Sequence, residues 1–548
     1  MTIDDLPAAP DHDLRSAAGA QTLFDLLAAS AGLTDNCLVD DGQPVGWAEL
    51  FERSRSVASG FAALGVTAGD RVAIWLPNRA AWLVSFFACC QLGAIAVSIN
   101  TRFRSAEVGD LLTRSSSKLL LYWPGYKDID FSGIVGQCTP DALNKLQALV
   151  LYTDEEAPLP ASVVGKPVVP FSDLLAKPAM AVNHAKPESP CIIFTTSGTT
   201  KAPKLVVHCQ RNVMSHGRNV SRQYGLTSAD RFLLLPPFCG VYGFCSAMAA
   251  LVAGVRLTLS PTWNPERFAT LIESQKITHL SASNEAVAQL FNARPQDGMF
   301  PSIKFMVSAN INPAYAEISS RAAARSIEVV GLYGSSEVQA LFSLCDRTAS
   351  AEIRGRAGGS PASALARVRT RDPQSRQLCS VGEAGELEIF APESRFVGYF
   401  NDPQATRDAF TDDGYFRTGD LAAIEGDGSF TFLARLGDTL RLGGFLVSPA
   451  EIEELIQQHP GVESCQLVGA RMQDAVKPVA FVIARAGDSV KEAELIAYAS
   501  ERLAKYKVPV RVYLVEEFPT TPSANGSKVQ KSKLREMAES RLASATAS

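Results

Sequence analysis

Residues Thr195 to Lys204 read TTSGTTKAPK and follow directly on the apolar run CIIF. Thr196, Ser197, Thr199 and Thr200 surround Gly198, and Lys204 closes the segment. A polyphosphate needs converging backbone N–H groups, small hydroxyl donors that do not crowd it, and a cation to offset its charge. The segment offers all three, although GxxxxGK[ST] is absent and this is not a Walker loop. Taken singly it reads more readily as a solvated Thr/Ser turn. The same holds for three other candidates: Glu337 in YGSSE as a loop carboxylate, Asp420 in RTGDL as a turn residue, and Lys528 in a Lys-rich stretch as a surface charge.

The elements that must carry these residues are legible as alternating runs. RVAIWLP, KLLLYW, CIIFTTSG, VRLTLSP, KFMVSA and IEVVGLYG read as strands, with amphipathic helical runs between them, among them one from Ala81 and AYAEISSRAAARS. That alternation predicts layered α/β structure with mainly parallel sheets. From about residue 352 the texture changes to short strands and turns, with Asp427-Gly428 marking a hairpin. After Arg435 to Asp438 come a Gly-rich segment, EIEELIQQH with helical spacing, CQLVGARM, PVAFVIA, a helix from Lys491 to Leu503 and a last strand RVYLVEEF. The expected organisation is a flexible leader over 1–20, a large α/β N-terminal domain over 21–435 whose β-rich part covers 352–435, a small mobile α+β domain over 436–540, and a tail over 541–548.

The 548 residues, 46% hydrophobic and 20% charged, are too apolar for a disordered chain. Fifty-two basic residues against fifty-seven acidic ones leave a net charge of -5, without the excess that binding a nucleic-acid backbone demands. Eleven cysteines lack CxxC or Cys/His zinc spacing and read as reduced, buried thiols, which implies a cytoplasmic location. The start has acids where a secretory signal needs basic residues. Residues 82–99 are apolar enough to raise a membrane span, but Gln91 and Gly93 divide them into a helix, a turn and a buried strand.

TTSGTTKAPK resembles the phosphate loop of the adenylate-forming superfamily, the acyl- and aryl-CoA synthetases and their relatives. LPPFCGVYG from Leu235, GLYGSSE from Gly331, GELEIF from Gly385, GYFRTGDLA from Gly414, ARLGDTLRLGGFLVSPAEIE from Ala434 and NGSKVQKSKLR from Asn525 follow in that family's order. The resemblance spans roughly residues 20–538. It implies an ATP-dependent carboxylic acid:CoA ligase. The acid attacks the ATP α-phosphate, pyrophosphate leaves, and a thiol, usually of CoA, then displaces AMP.

By the same resemblance Lys204 and Thr196 to Thr200 would hold the β- and γ-phosphates, and Glu337 would coordinate Mg²⁺ with Thr196 nearby. Tyr333 would lie near adenine, Ser336 near the α-phosphate, and Asp420 with Arg435 at the ribose. Lys528 would be the catalytic cation brought from the small domain, which would swivel about Gly437. Gly443, Gly444, Phe445 and Arg441 would serve CoA. Phe238, Cys239, Val241, Tyr242, Ser308, Asn310 and Gly331 would line the acid pocket, predicting an aromatic, cyclic or medium-chain acid. Asn284, Asn310 and Asn312 add polar groups that either face this pocket or cap turns outside it.

Some positions depart from the family's pattern. Lys201 and Leu205 stand where glycines are usual, so Lys201 could itself reach phosphate. Ser527 intervenes between Gly526 and Lys528, leaving Lys531 as an alternative cation. A stand-alone adenylating enzyme that loads an acyl or amino acid onto a carrier protein or amine remains the second reading. The expected partners are a small carboxylic acid, ATP and CoA, with no nucleic acid and no membrane span, in a monomer or homodimer.

Overall fold

The computed structural model describes residues 21–546 apart from 34–35, 155–157, 197–202, 296–299, 310–316, 437–439, 443–444, 448, 473–474, 504 and 524–525. Two large sheets dominate it. In the first, strands Arg71–Trp75, Ile95–Ser98, Leu119–Tyr122 and Ala148–Leu151 are parallel neighbours, as expected for apolar runs buried on both faces. Pro190–Thr195 joins them in parallel beside Ile95–Ser98. Beyond the hydroxylated segment the chain doubles back, and Leu205–Cys209 pairs antiparallel with Pro190–Thr195. The phosphate-loop candidate is therefore a hairpin connection, and the next strand out is the short Gly398–Tyr399, which pairs with Val206 and Val207.

The second sheet has a parallel core of Arg256–Leu259, Arg231–Leu234, His279–Ser283, Phe305–Ala309 and Val329–Tyr333. The strands after residue 352 continue this same sheet antiparallel rather than forming a layer of their own. Ser343–Leu344 pairs with Val329–Tyr333, and Gly358–Pro361, Phe430–Arg435, Phe416–Ile424, Ala384–Phe390 and Arg367–Arg371 follow in order. At the other end, a hairpin of Asn36–Asp40 and Gln43–Gly46 pairs with Arg256–Leu259, an edge that the alternation of the sequence does not reveal.

Helix Ala80–Leu92 explains the long apolar run after Trp82. Every one of its residues is buried, and it packs in the main core with Phe232, Phe238 and Phe244. Gly93 ends it at φ +68, a left-handed cap that a glycine adopts without steric cost. No helix among the described residues is long and apolar enough to cross a membrane.

The C-terminal segment has its own core. Val462–Met472 and Ala475–Ala484 pair antiparallel, Arg511–Leu514 joins in parallel, and helices Pro449–Gln457 and Glu492–Ser500 accompany them. Arg511–Leu514 is not the last strand, contrary to the sequence reading. Thr520–Ser523 and Gly526–Val529 form a further hairpin before the final helix Lys531–Thr546. All eleven cysteines are free, and only Cys379 is not buried.

Candidate active site

The first cluster stands where the parallel and antiparallel parts of the second sheet meet. Tyr333 ends strand Val329–Tyr333, and its hydroxyl donates to Oδ2 of Asp420 at 2.5 Å. Asp420 and Arg435 face each other across the Phe416–Ile424 and Phe430–Arg435 pair, which brings Nε of Arg435 to 2.9 Å from Oδ1. Asp420 is 1% exposed, whereas the Arg435 side chain is 57% exposed. Burial holds the Asp420 carboxyl above its ordinary range, with Arg435 and the Tyr333 hydrogen bond pulling the other way. Tyr333 is pushed up by burial and by the Asp420 charge. Phe430 meets the Tyr333 ring edge-on at 5.2 Å, which fixes its plane.

The second cluster gathers around Tyr399. Its hydroxyl donates to Oε1 of Glu337 at 2.9 Å, and Nζ of Lys204 stands 4.3 Å from its ring centroid. Burial, and then the Glu337 charge, raise the Tyr399 phenol, so it stays a donor. Thr196 closes the base of the phosphate-loop hairpin: its Oγ1 accepts from Lys204 N–H at 3.0 Å and its own N–H donates to Lys204 O at 3.0 Å. Sheet pairing thus places Lys204, with Thr196 bonded to it, on one side of Tyr399 and Glu337 on the other. Tyr399 was not among the predicted residues. The only sequence signal for it is an aromatic pair, Tyr399-Phe400, after a glycine in an otherwise polar turn.

No group of three or more His, Cys, Asp or Glu able to hold a metal occurs among the described residues. A single carboxylate beside hydroxyls suits Mg²⁺ that arrives on phosphate oxygens and keeps several waters, because that ion rarely uses an all-protein cage. Glu337 and Thr196 fit that donor set.

The predicted acid-pocket residues separate. Phe238 is fully buried and stacks on Trp82 at 4.9 Å and 18°, so its ring belongs to the core. The buried Cys239 thiol is pushed up to about 12 by desolvation, which leaves it unreactive. Tyr242 is buried with its hydroxyl 2.9 Å from Val307 O and 3.1 Å from Ala282 O, bridging two neighbouring parallel strands. Val241 opens helix Val241–Val252 and is half-buried. Ser308, 4% exposed, has a buried Oγ without a hydrogen-bond partner, a polar atom suited to a ligand. Gly331 is required by packing, since a Cβ there would meet Arg356 O at 1.8 Å. Asn284 is fully buried as the first residue of helix Asn284–Ala293, after the N-cap Ser283, and its Oδ1 accepts from Glu285 N–H at 3.1 Å.

In the small domain, Lys531 donates from Nζ to Oε1 of Glu453 at 2.7 Å, and that carboxylate, 4% exposed, also accepts from Leu467 N–H. Lys528 sits opposite Thr521 in the terminal hairpin. Arg441 and Phe445 lie in the paired strands Leu440–Leu442 and Phe445–Val447, where Leu442 faces Phe445. Ser197, Gly198, Thr199, Thr200, Lys201, Asn310, Asn312, Gly437, Gly443 and Gly444 lie outside the described residues.

The profile of AMP-binding enzymes matches residues 28–400, and that of the AMP-binding enzyme C-terminal domain matches 451–525. The chain belongs to the AMP-binding enzymes, within the adenylate-forming superfamily that its ordered motifs resemble. Among individual relatives, it is 29% identical to a feruloyl-CoA synthase of Amycolatopsis sp over 502 residues, covering 90% of this chain and 94% of that one. It is likewise 29% identical to a sulfoacetate–CoA ligase of Cupriavidus necator, covering 90% and 93%. The fold superposes on an O-succinylbenzoate coenzyme A synthetase from Bacillus subtilis in complex with AMP with a TM-score of 0.77 at 25% identity, covering 93% of this chain and 98% of that one.

Proposed function

We propose that this chain is an AMP-forming acid:CoA ligase. The observation that carries the reading is the convergence of Lys204 and Glu337 on Tyr399, a few residues from the Tyr333–Asp420–Arg435 cluster. One face offers a cation and a metal-ready carboxylate to a polyphosphate, and the other a buried carboxylate to two hydroxyls. That division matches the two ends of ATP.

A carboxylate oxygen of the acid attacks the α-phosphorus, the bond to the bridging oxygen breaks, and pyrophosphate departs. Such in-line transfer needs mainly positioning and charge stabilisation. Lys204, with Ser197, Gly198, Thr199 and Thr200, holds the β- and γ-phosphates. Glu337 and Thr196 hold Mg²⁺, which offsets the phosphate charge when bound. Asp420 accepts from the ribose hydroxyls, Arg435 assists there, Ser336 lies at the α-phosphate, and Lys528 meets the charge developing between carboxylate and phosphate. Lys531 is ion-paired to Glu453, which favours Lys528 in that role. In the second half-reaction the CoA sulfur, after losing its proton, attacks the acyl carbonyl and AMP leaves. Arg441, Gly443, Gly444 and Phe445 contact CoA there.

The acid reads as aromatic, cyclic or medium-chain, held near Val241, Ser308 and Asn310. The free, mostly buried cysteines suit a cytoplasmic enzyme. The test is a panel of aryl, cyclic and straight-chain acids with ATP and Mg²⁺, with and without CoA, following AMP and acyl-CoA together by mass spectrometry. AMP and an acyl-CoA in equal amounts are expected. Adenylate that forms but never passes to CoA would replace CoA with a carrier protein or amine as acceptor. Absence of any acid-dependent AMP would overturn the ligase reading.

A further inference from the structure

The strand that follows the phosphate loop, Leu205–Cys209, also reaches the opposite wall of the site. His208, fully buried on it, lies with Nε2 2.7 Å from the carbonyl oxygen of Ser336. His216, buried in the adjoining helix Gln210–Tyr224, makes the same 2.7 Å contact with the carbonyl of Ala340. A carbonyl only accepts, so both imidazoles carry their proton on Nε2. Gln339, between these anchors, and Leu341, just past the second, adopt φ of +63 and +67, a left-handed region that non-glycine residues rarely enter. Such backbone persists only where its surroundings over-determine it. The further restraints are Gln339 Nε2 to Asn212 O at 3.1 Å and Ser394 O at 3.3 Å, and Phe396 N to Glu337 O at 2.6 Å.

Glu337 is thus held from two sides, and both lead to one strand. Its side chain is held through Tyr399, whose own strand pairs with Val206 and Val207. Its main chain is held directly by Phe396 N–H at its own carbonyl, and through Ser336 by the imidazole one residue further along. We propose that His208 is a positioning residue for the metal-binding carboxylate: it fixes the Ser336 carbonyl to the phosphate-loop strand and so sets the distance from Glu337 to the phosphates that Lys204 holds. The inference rests on the metal role given to Glu337 above. His208 touches neither nucleotide nor acid, and acts only through the 335–341 loop.

The test compares full-length wild type with His208→Leu, His208→Gln and Glu337→Gln, measuring ATP binding by calorimetry across a Mg²⁺ titration without acid or CoA. His208→Leu removes the donor, whereas Gln places an amide N–H close to the imidazole Nε2 position. His208→Leu should raise the Mg²⁺ concentration for half-maximal ATP binding about tenfold, the range seen when a partner of a metal ligand is removed. His208→Gln should return it to within about threefold of wild type. The KM values for acid and CoA should stay unchanged, and amides 335–341 should exchange hydrogen faster in His208→Leu without nucleotide. An unchanged Mg²⁺ requirement in His208→Leu, while Glu337→Gln raises it, would overturn the His208 inference alone. No effect of Glu337→Gln would remove the metal role and this inference with it. Should His208→Leu fail to fold, His208→Asn, whose amide reaches only the Nδ1 position, must show the raised requirement that His208→Gln lacks.

Discussion

Tyr333 and Asp420, on strands separated in sequence by most of the antiparallel sheet, share a 2.5 Å hydrogen bond in which the phenol donates to Oδ2. With Arg435 2.9 Å from Oδ1, the buried carboxylate is restrained at both oxygens before any ligand arrives. A group fixed in this way loses little freedom on binding. Asp420→Asn removes charge-assisted hydrogen bonds, each worth about 1.5–3 kcal/mol. AMP affinity should fall at least roughly tenfold, as read by calorimetry. An unaltered affinity would remove Asp420 from the ribose site.

Lys528 and Lys531 should behave oppositely. Lys528→Ala should abolish adenylation and leave the melting temperature in place. Lys531→Ala strands the nearly buried Glu453, and breaking a buried pair from one side costs about 3 kcal/mol or more. It should therefore lower small-domain stability in a denaturant titration while acid-dependent AMP formation persists below the new midpoint. Exchange of these two phenotypes would make Lys531 the catalytic cation.

Phe238 gives a test of packing against recognition. Its ring is stacked on Trp82 and fully buried, so Phe238→Ala should cost about 3–5 kcal/mol of stability. The ranking of acids in the panel should stay the same. A changed ranking with full stability would return the ring to the substrate pocket.

Buried imidazoles predict an acid limit. Desolvation pushes His216 and His208 from the ordinary value of 6.5 down to about 4, so each is neutral in the folded protein. Between pH 6.5 and 4 the unfolded chain takes up protons that the folded chain refuses, and stability falls as pH is lowered through that window. For one such group the loss between pH 7.5 and 5 is about 2 kcal/mol. His216→Gln should shrink the measured difference between denaturation free energies at those two pH values by about that amount. A pH dependence identical to wild type would mean that the imidazole is solvated in the folded state.

The parallel strands were legible because residues buried on both faces, as in Leu119–Tyr122 and Val329–Tyr333, leave continuous apolar runs. Hairpins without such runs were not. Thr520–Ser523 and Gly526–Val529, TTPS and GSKV, hold Val529 as their one apolar side chain besides proline, and Gln43–Gly46 has one buried residue. Among the candidate site residues, Lys204, Glu337 and Asp420 stand within local motifs whose order resembles that of a known family, and that resemblance rather than their composition singles them out. Tyr399 and His208 do not, because their partners are 62 and 128 residues away and only sheet order makes them neighbours. Sequence spacing carries no trace of a neighbour that arrives across a sheet. A motif likewise shows which residues accompany a pocket, and not that a ring such as Phe238 stacks on Trp82 in the core.

The pairing of Val206 with Tyr399 also bears on how the chain is made. A ribosome delivers Leu205–Cys209 long before Gly398–Tyr399, and the whole parallel core of the second sheet emerges in between. During that interval the phosphate-loop strand is the outer edge of its sheet, with unpaired backbone groups exposed to any passing strand. The nascent chain thus carries an open edge at the strand beside the proposed phosphate loop, and synthesis past Tyr399 closes it.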